Sequence, residues 1–278
     1  MEGIYGIKLK ERMRLPLVTS FLGYDATRFP QRHGKPYLRL FTEGDLFLPC
    51  AQAISERLLE LGCPPERLRV HHLGVDVDRI RFQERVPGDD SSVNILLVAR
   101  MVEKKGIPYA VQAFAEVRRD HPHVSLTLIG EGPERPAIEA LLRQLNLSEV
   151  RMPGAQPHAV VLSEMRRAHI FVLPSVKAAD GDTEGIPVTL MEAQASGLPV
   201  VATRHSGIPE LVEDGRSGYL VPERDSKSLA ERLRHLIEHP EIWRALGLAG
   251  RAIVEERFSL QRQVAILEGY YDKLLAGA

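Results

Sequence analysis

The chain has 278 residues, of which 44% are hydrophobic and 26% charged, and its formal net charge is −1. This balance is typical of a folded protein of one or two domains, and it argues against intrinsic disorder and against general nucleic-acid binding. The chain has two cysteines and no CxxC pair, which argues against a disulfide framework and a cysteine zinc site. It has no apolar run long enough to span a membrane and no signal-peptide pattern, so we expect a cytoplasmic protein.

The first 39 residues carry eight basic and three acidic side chains, a local surplus of five positive charges. Such a surplus could dock the chain on the anionic inner face of a membrane, where a lipid-linked acceptor resides. A solvated surface explains the same charges, and we favour it because the apolar residues here show no sustained amphipathic period. Peripheral membrane contact is the second interpretation.

The segment before residue 82 contains few predicted elements. Residues 16–21 predict a strand, residues 51–61 a helix and residues 68–72 a second strand. At the other end of the chain, residues 260–275 have the spacing of a long helix.

From residue 93 onward, short apolar runs alternate with helical patterns. Strands are predicted at 93–98, 124–129, 170–173 and 199–202, and helices at 109–119, 134–145, 159–167 and 188–195. Alternation of this kind predicts an α/β fold with a parallel sheet covered on both faces, and ligands of such sheets bind at the carboxyl ends of the strands. The residues expected at that edge are Arg100, Gly130, Ser175 and Thr203.

The stretch 182–203 contains Glu184 and Glu192, eight positions apart, on either side of a turn that opens a helix. Free backbone amides at a helix start, together with the helix dipole, attract phosphate. An anion between two carboxylates must offer hydroxyl groups on both sides. A nucleotide diphospho-sugar meets this requirement, with its hexose at one end and its ribose at the other.

This stretch resembles the Glu-x7-Glu signature of the family 4 glycosyltransferases, which are retaining enzymes of the two-domain GT-B fold. Four further stretches match the family's motifs in the family's order: 97–106, 128–133, 197–203 and 206–210. Residues 43–49, 61–64, 181–187 and 205–210 resemble more specifically the colanic-acid type of exopolysaccharide glycosyltransferase. Motifs that match in order are far more specific than the spacing of two Glu residues alone.

The resemblance implies three parts of the chain. Residues 1–82 would be a remnant of the N-terminal, acceptor-side domain, and residues 83–254 the C-terminal Rossmann-like domain that binds the nucleotide-sugar. Residues 255–278 would form a helix that crosses back to the N-terminal domain, and the crossing between domains would lie near residues 81–92. Compared with the family, roughly the first hundred residues would be missing, a figure that follows from typical domain size.

The resemblance also implies the roles of the site residues. Arg100 and Lys105 would neutralise the leaving diphosphate in place of a metal ion, so neither a metal nor a cofactor is expected. Glu184 would bind hydroxyl groups of the transferred hexose, and Glu192 those of the ribose. We predict Arg100, Lys105 and Glu184 as catalytic residues. The predicted donor-binding residues are Gly185, Ile186, Pro187, Val188, Thr189 and Glu192.

Three nearby features are interpreted differently. Glu103 and Lys104 are expected to be solvated surface charges. The Asp-x-Asp patterns at 76–78 and 180–182 match the metal sites of other glycosyltransferases, but two-residue patterns are common and we do not assign metal binding to them. Many relatives place a His after the Phe of the first strand, near the reacting sugar, whereas this chain has Leu22 there.

The predicted function is transfer of a hexose from a UDP- or GDP-sugar to a saccharide or lipid-linked acceptor in polysaccharide assembly. The first alternative is a non-catalytic nucleotide-sugar-binding module, which the missing early strands and Leu22 would favour. A sugar-nucleotide epimerase on the same fold is the second alternative. It is less favoured because the later motifs follow the transferase pattern.

Overall fold

The computed structural model describes residues 2–87 and 92–276. Its strands are β1 (Val18–Phe21), β2 (Leu46–Pro49), β3 (Val93–Val98), β4 (Val124–Ile129), β5 (Val150–Gly154), β6 (Ile170–Leu173), β7 (Val200–Thr203) and β8 (Tyr219–Val221). Its α-helices are α1 (Glu2–Met13), α2 (Arg28–His33), α3 (Leu38–Glu43), α4 (Gln52–Glu60), α5 (Ile107–Asp120), α6 (Arg135–Gln144), α7 (His158–Arg167), α8 (Val188–Ala195), α9 (Ile208–Leu211), α10 (Ser226–Glu238), α11 (Trp243–Arg257) and α12 (Leu260–Ala276). Short 3-10 turns occur at Pro65–Arg67, Glu103–Lys105 and Pro240–Ile242.

Six strands form one parallel sheet in the order β5-β4-β3-β6-β7-β8. Strands β6 and β7 consist of buried residues only, as expected for a sheet that helices cover on both faces. The chain adds strands first on one side of β3 and then, from β6, on the other. Such a reversal opens a crevice outside the carboxyl ends of the two central strands, which is where ligands of α/β sheets bind.

The predicted α/β sheet is confirmed, with small changes at its ends. Three of the four predicted strands have the predicted bounds, and β7 begins one residue later, at Val200. The helix predicted at 188–195 is α8, and the final predicted helix is α12. The division into parts at residues 82 and 254 stays a prediction. The predicted crossing at 81–92 includes residues 88–91, which lie outside the described residues.

The N-terminal segment forms a second, smaller parallel pair, β1 and β2. The strand predicted at 68–72 is only partly right. Leu68 forms a single bridge to Phe47, and the amides of Arg69 and His71 donate to the carbonyls of Phe47 and Pro49. A parallel ladder beyond Leu68 would need the N–H of Pro49, which proline lacks, so the segment runs beside β2 without becoming a strand.

An aromatic cluster fixes the loop that follows β1. The rings of Phe21 and Tyr37 meet edge to face at 5.3 Å, and those of Phe41 and Phe47 do the same at 5.3 Å. The Tyr37 hydroxyl donates to the carbonyl of Asp25, 2.6 Å away. Because these contacts join β1, β2 and α3, the loop after Phe21 is held against the rest of the chain.

Helix α12 lies against the segment after β2. Ser259 forms a bridge with Val75, and the ring nitrogen Nε2 of His71 lies 2.9 Å from the carbonyl oxygen of Gln263. None of the described helices is both long and apolar enough to cross a membrane.

Candidate functional site

The loops after β3 and β6 meet at the carboxyl edge of the sheet, next to the point where the strand order reverses. Gly106, which ends the 3-10 turn after β3, has φ +61°, and a Cβ placed there would lie 1.9 Å from the carbonyl oxygen of Pro174. A side chain at position 106 is therefore incompatible with this close approach. The glycine brings Lys105 directly over the loop that leads to α8.

Lys105 and Lys104 both pair with this loop. The Nζ atom of Lys105 lies 2.9 Å from Oε1 of Glu184, and that of Lys104 lies 3.9 Å from the same oxygen. Lys104 also donates to Oδ1 of Asp182 at 3.2 Å and to the carbonyl of Thr183 at 3.1 Å. The structure therefore joins two of the predicted catalytic residues, Lys105 and Glu184, in an ion pair.

Glu184 is buried, and its surroundings keep it charged. Burial raises the pKa of this carboxyl, but the positive charges of Lys105 and Lys104 and the hydrogen bond from Lys105 outweigh it, so its pKa falls below the usual value. A buried carboxylate that stays ionised can accept hydrogen bonds from hydroxyl groups of a ligand.

The prediction that Lys104 is a solvated surface charge is wrong. Lys104 is buried, whereas Glu103 beside it is exposed and accepts a hydrogen bond from the amide of Ala179. The physical reason is the 3-10 turn over Glu103–Lys105, which directs both ammonium groups towards the carboxylates of the next loop.

Arg100 follows β3 at the same edge, and its side chain is exposed. This side chain forms no hydrogen bond or ion pair with any residue in the described ranges. It lines a cavity of about 360 Å³ together with Tyr24, Lys104 and Asp182. The guanidinium group is therefore available to a ligand, although no contact joins it directly to Lys105 or Glu184.

The two carboxylates of the second Asp-x-Asp pattern have different partners. Asp182 pairs with Lys104, and Asp180 lies 2.8 Å from Nε of Arg28 on α2. Within residues 2–87 and 92–276 there is no group of three or more His, Cys, Asp or Glu side chains with the geometry of a metal site.

Gly185, Ile186 and Pro187 form the turn before α8. A Cβ at Gly185 would lie 2.3 Å from Sγ of Cys50 and 3.1 Å from the carbonyl oxygen of Leu22, so the turn packs tightly on the N-terminal segment. Ile186 and Pro187 are buried. Leu22 itself is 53% exposed at this boundary.

The first two amides of α8 have no hydrogen-bond partner in the described part of the chain. Val188 is exposed, and neither its amide nor that of Thr189 donates to any group in the described part of the chain. The first amide in this helix with a backbone partner belongs to Leu190, which donates to the carbonyl of Pro187. Two adjacent free amides at a helix start are suited to an anion such as phosphate.

Glu192 is the fifth residue of α8, and it is buried. Its Oε1 lies 2.7 Å from Nε2 of His158, the first residue of α7, whose side chain is 66% exposed. Sequence reasoning did not find His158. The pair joins the start of α7 to α8.

The comparisons with known proteins identify the family of this chain. The sequence model of the family "Glycosyl transferases group 1" matches residues 92–239, which include every predicted site residue. The chain belongs to this family of group 1 glycosyltransferases. The match covers the six-stranded sheet from β3 to β8 and ends after α10.

Relatives of this group 1 glycosyltransferase occur in bacterial polysaccharide biosynthesis. The chain is 38% identical over 275 residues to the putative colanic acid biosynthesis glycosyltransferase WcaL of Salmonella typhimurium, covering 95% of the chain and 67% of that protein. It is 38% identical to the amylovoran biosynthesis glycosyltransferase AmsK of Erwinia amylovora, covering 87% of the chain and 60% of that protein. The chain thus spans about three fifths to two thirds of the length of these relatives.

Solved structures confirm the GT-B fold of this group 1 glycosyltransferase. The crystal structure of Anabaena HepE in complex with UDP superposes with a TM-score of 0.84 at 20% identity, covering 98% of the chain and 76% of HepE. Sucrose-phosphate synthase from Thermosynechococcus elongatus gives a TM-score of 0.81 at 22% identity, over 99% of the chain and 72% of that protein.

Proposed function

We propose that this chain binds the donor in a metal-independent, retaining family 4 glycosyltransferase. The reaction would transfer a hexose from a UDP- or GDP-sugar to a saccharide or lipid-linked acceptor in exopolysaccharide assembly. One observation carries the proposal: two free amides at the start of α8 lie between a buried, ionised Glu184 and a buried Glu192. The free amides would bind a phosphate, and the two carboxylates would accept hydrogen bonds from hydroxyl groups on either side of it.

The cations of the site favour departure of the diphosphate. Negative charge grows on the leaving phosphate oxygens as the sugar–phosphate bond breaks, and preorganised cations stabilise it. The side chain of Arg100 is exposed and has no partner among the described residues, and Lys105 pairs with Glu184 in the loop that leads to the free amides. Both groups can therefore replace a metal in neutralising this charge.

The names of the relatives and the ligands of a solved structure support this proposal. WcaL and AmsK are named for the biosynthesis of colanic acid and amylovoran, and HepE has been crystallised with UDP and with UDP-glucose. Transfer of these functions to the present chain is part of the proposal.

A second candidate is a nucleotide-sugar-binding module without transferase activity. Leu22, half-exposed beside Gly185, favours it, because this side chain offers no hydrogen bond to a sugar. A donor-consumption assay with membrane extract as the source of acceptor separates the candidates. Consumption of a UDP- or GDP-sugar above a heat-treated control supports the transferase, whereas binding without consumption supports the module.

Contact with the inner face of the membrane is the second interpretation of the basic N-terminal segment. What supports it is α1, on which Tyr5, Leu9 and Met13 are exposed at intervals of four residues, with Lys8 and Arg12 exposed nearby. Co-sedimentation with anionic vesicles, compared with neutral vesicles, tests it: equal sedimentation with both would favour a solvated face.

Calorimetric titration with UDP and with GDP, each with and without a chelator, tests the proposed donor site. The proposal requires saturable binding of at least one nucleotide that is unchanged by chelation. Affinity that disappears with the chelator would contradict the metal-independent site, and no binding of either nucleotide would contradict the donor site.

A further inference from the structure

The loop that carries Glu184 is irregular, and two other loops fix it. It extends from residue 174 to residue 187 between β6 and α8. Near its start, the amide of Lys177 donates to Oε2 of Glu223 at 2.8 Å. Near its end, the amide of Glu184 donates to Nε2 of His205 at 3.1 Å, and the hydroxyl of Ser206 donates to the carbonyl of Glu184 at 2.6 Å.

His205 joins these two attachments into one chain of hydrogen bonds. It is 2% exposed, and its Nδ1 lies 2.6 Å from Oε1 of Glu223. Because Nε2 accepts from the amide of Glu184, the neutral ring carries its proton on Nδ1 and donates it to Glu223. Both ring nitrogens are therefore committed to holding the loop.

Glu223 keeps the ring in this tautomer. Burial raises the pKa of Glu223, but the hydrogen bonds from the Lys177 amide and from His205, with the charge of Arg224, lower the pKa overall. An ionised carboxylate is a strong acceptor for the Nδ1 proton. The carboxylate thus orients the imidazole in the way that buried carboxylates orient histidines in other sites.

We propose that His205 and Glu223 are positioning residues that set the Glu184 carboxylate against the transferred sugar, acting through the backbone of residue 184. The inference rests on the proposed donor site. The amides that would bind the phosphate belong to α8, whose own hydrogen bonds maintain them. Glu184 lies outside that helix, and its amide and carbonyl depend on His205 and Ser206. Loss of His205 should therefore impair recognition of the sugar more than recognition of the nucleotide.

Three substitutions of His205 separate this role from a general structural one. His205→Gln places an amide oxygen near the position of Nε2, where it can still accept from the amide of Glu184. His205→Asn keeps a donor near the position of Nδ1 but cannot reach Glu184, and His205→Ala removes both groups. His239→Ala is the matched control, because His239 is a half-exposed histidine that pairs with Glu241 after α10.

The measurement is the calorimetric affinity of each variant for the nucleotide alone and for the corresponding nucleotide-sugar, using UDP with UDP-glucose and GDP with GDP-mannose. In the Asn and Ala variants we expect the ratio of nucleotide-sugar affinity to nucleotide affinity to fall about tenfold, the effect of losing one buried hydrogen-bond partner. The Gln variant should stay within about threefold of the wild-type ratio, as expected when the acceptor is retained. The control should match the wild type.

Two results would overturn the inference. One is an unchanged ratio in the Asn variant with its fold intact by circular dichroism, and the other is an equal fall in both affinities in the Asn and Gln variants. If the His205→Ala protein does not fold, comparison of the Asn and Gln variants still tests the inference. Wild-type protein that binds neither nucleotide would remove the proposed donor site and this inference together, whereas normal nucleotide binding with an unchanged ratio would remove the inference alone.

Discussion

Replacement of Glu192 by Gln tests the ribose side of the donor site. Glu192 is buried, and its recorded polar partner is Nε2 of His158 at 2.7 Å. Glutamine conserves the volume of the side chain but removes the charge, and one of its two polar ends is a donor. A pair of ribose hydroxyls would therefore lose charge-assisted hydrogen bonds and face an amide that can accept through only one atom.

The expected size follows from these contacts. Hydrogen bonds to charged groups are worth about 1.5–3 kcal/mol and neutral ones about 0.5–1.5, a difference of about 1–1.5 for each bond, so weakening one or two bonds should cost about 1–3 kcal/mol in nucleotide binding. In dissociation constants this is about a 5- to 150-fold weakening. Calorimetry with UDP and GDP near neutral pH measures it directly.

The control for this prediction is Glu231→Gln, which removes the same charge from an exposed position on α10. Its affinity should equal that of the wild type. Glu192→Gln should also keep its melting temperature, because a buried amide costs less to desolvate than a buried carboxylate. Unchanged nucleotide affinity in a folded Glu192→Gln protein would refute the assignment of Glu192 to the ribose.

Four further predictions concern the lysine loop and its surroundings. Arg100→Ala should slow transfer by at least ~10²-fold with the fold intact, as does loss of one preorganised oxyanion donor, and a near-normal rate would remove Arg100 from the catalytic residues. Lys105→Met should lower the free energy of unfolding in urea by about 3 kcal/mol, which is at the lower end for a broken buried ion pair because Lys104 remains near Glu184. The double variant Lys105→Met with Glu184→Gln should recover part of this free energy. The pKa of Glu184 is lowered in the folded protein, so its charge stabilises the fold at pH values above the ordinary carboxyl pKa of about 4.3. This stabilisation should be lost as the pH falls from about 4.3 through the lowered pKa of the folded state. A difference in unfolding free energy between wild type and Glu184→Gln that stays constant over this pH range would be inconsistent with the prediction. Gly106→Ala should lower the unfolding free energy by more than about 1 kcal/mol, since φ is +61° and the Pro174 carbonyl leaves no room, and an unchanged denaturation midpoint would contradict that close approach.

The central sheet could be predicted because its strands are mostly buried and so consist largely of apolar residues. The outer strands escaped prediction for physical reasons. Strand β5 contains Arg151 and Pro153, and β8 has only three residues, so neither has a period that distinguishes it from a loop. Strand β2 is also short: it has four residues, all buried, and ends at Pro49, whose missing N–H limits pairing with the segment that follows.

The site could be predicted only as far as its local patterns extend. Lys104 and Lys105 are adjacent, and no spacing rule shows that a 3-10 turn directs both towards Glu184. His158, His205 and Glu223 reach the site through contacts between separate loops, which no local pattern encodes. One usable signal existed for His205, because it follows the predicted fourth strand at the edge where Arg100 follows the first.

The position of the diphosphate in a crystal grown with UDP-glucose or GDP-mannose decides whether the start of α8 is the donor site. We predict phosphate oxygens within hydrogen-bonding distance of the amides of Val188 and Thr189, with ribose hydroxyls on the carboxylate of Glu192. A diphosphate bound away from these amides would contradict it, for example in the cavity of about 400 Å³ that residues of α2 and α4 line together with Thr183, His205 and Glu223.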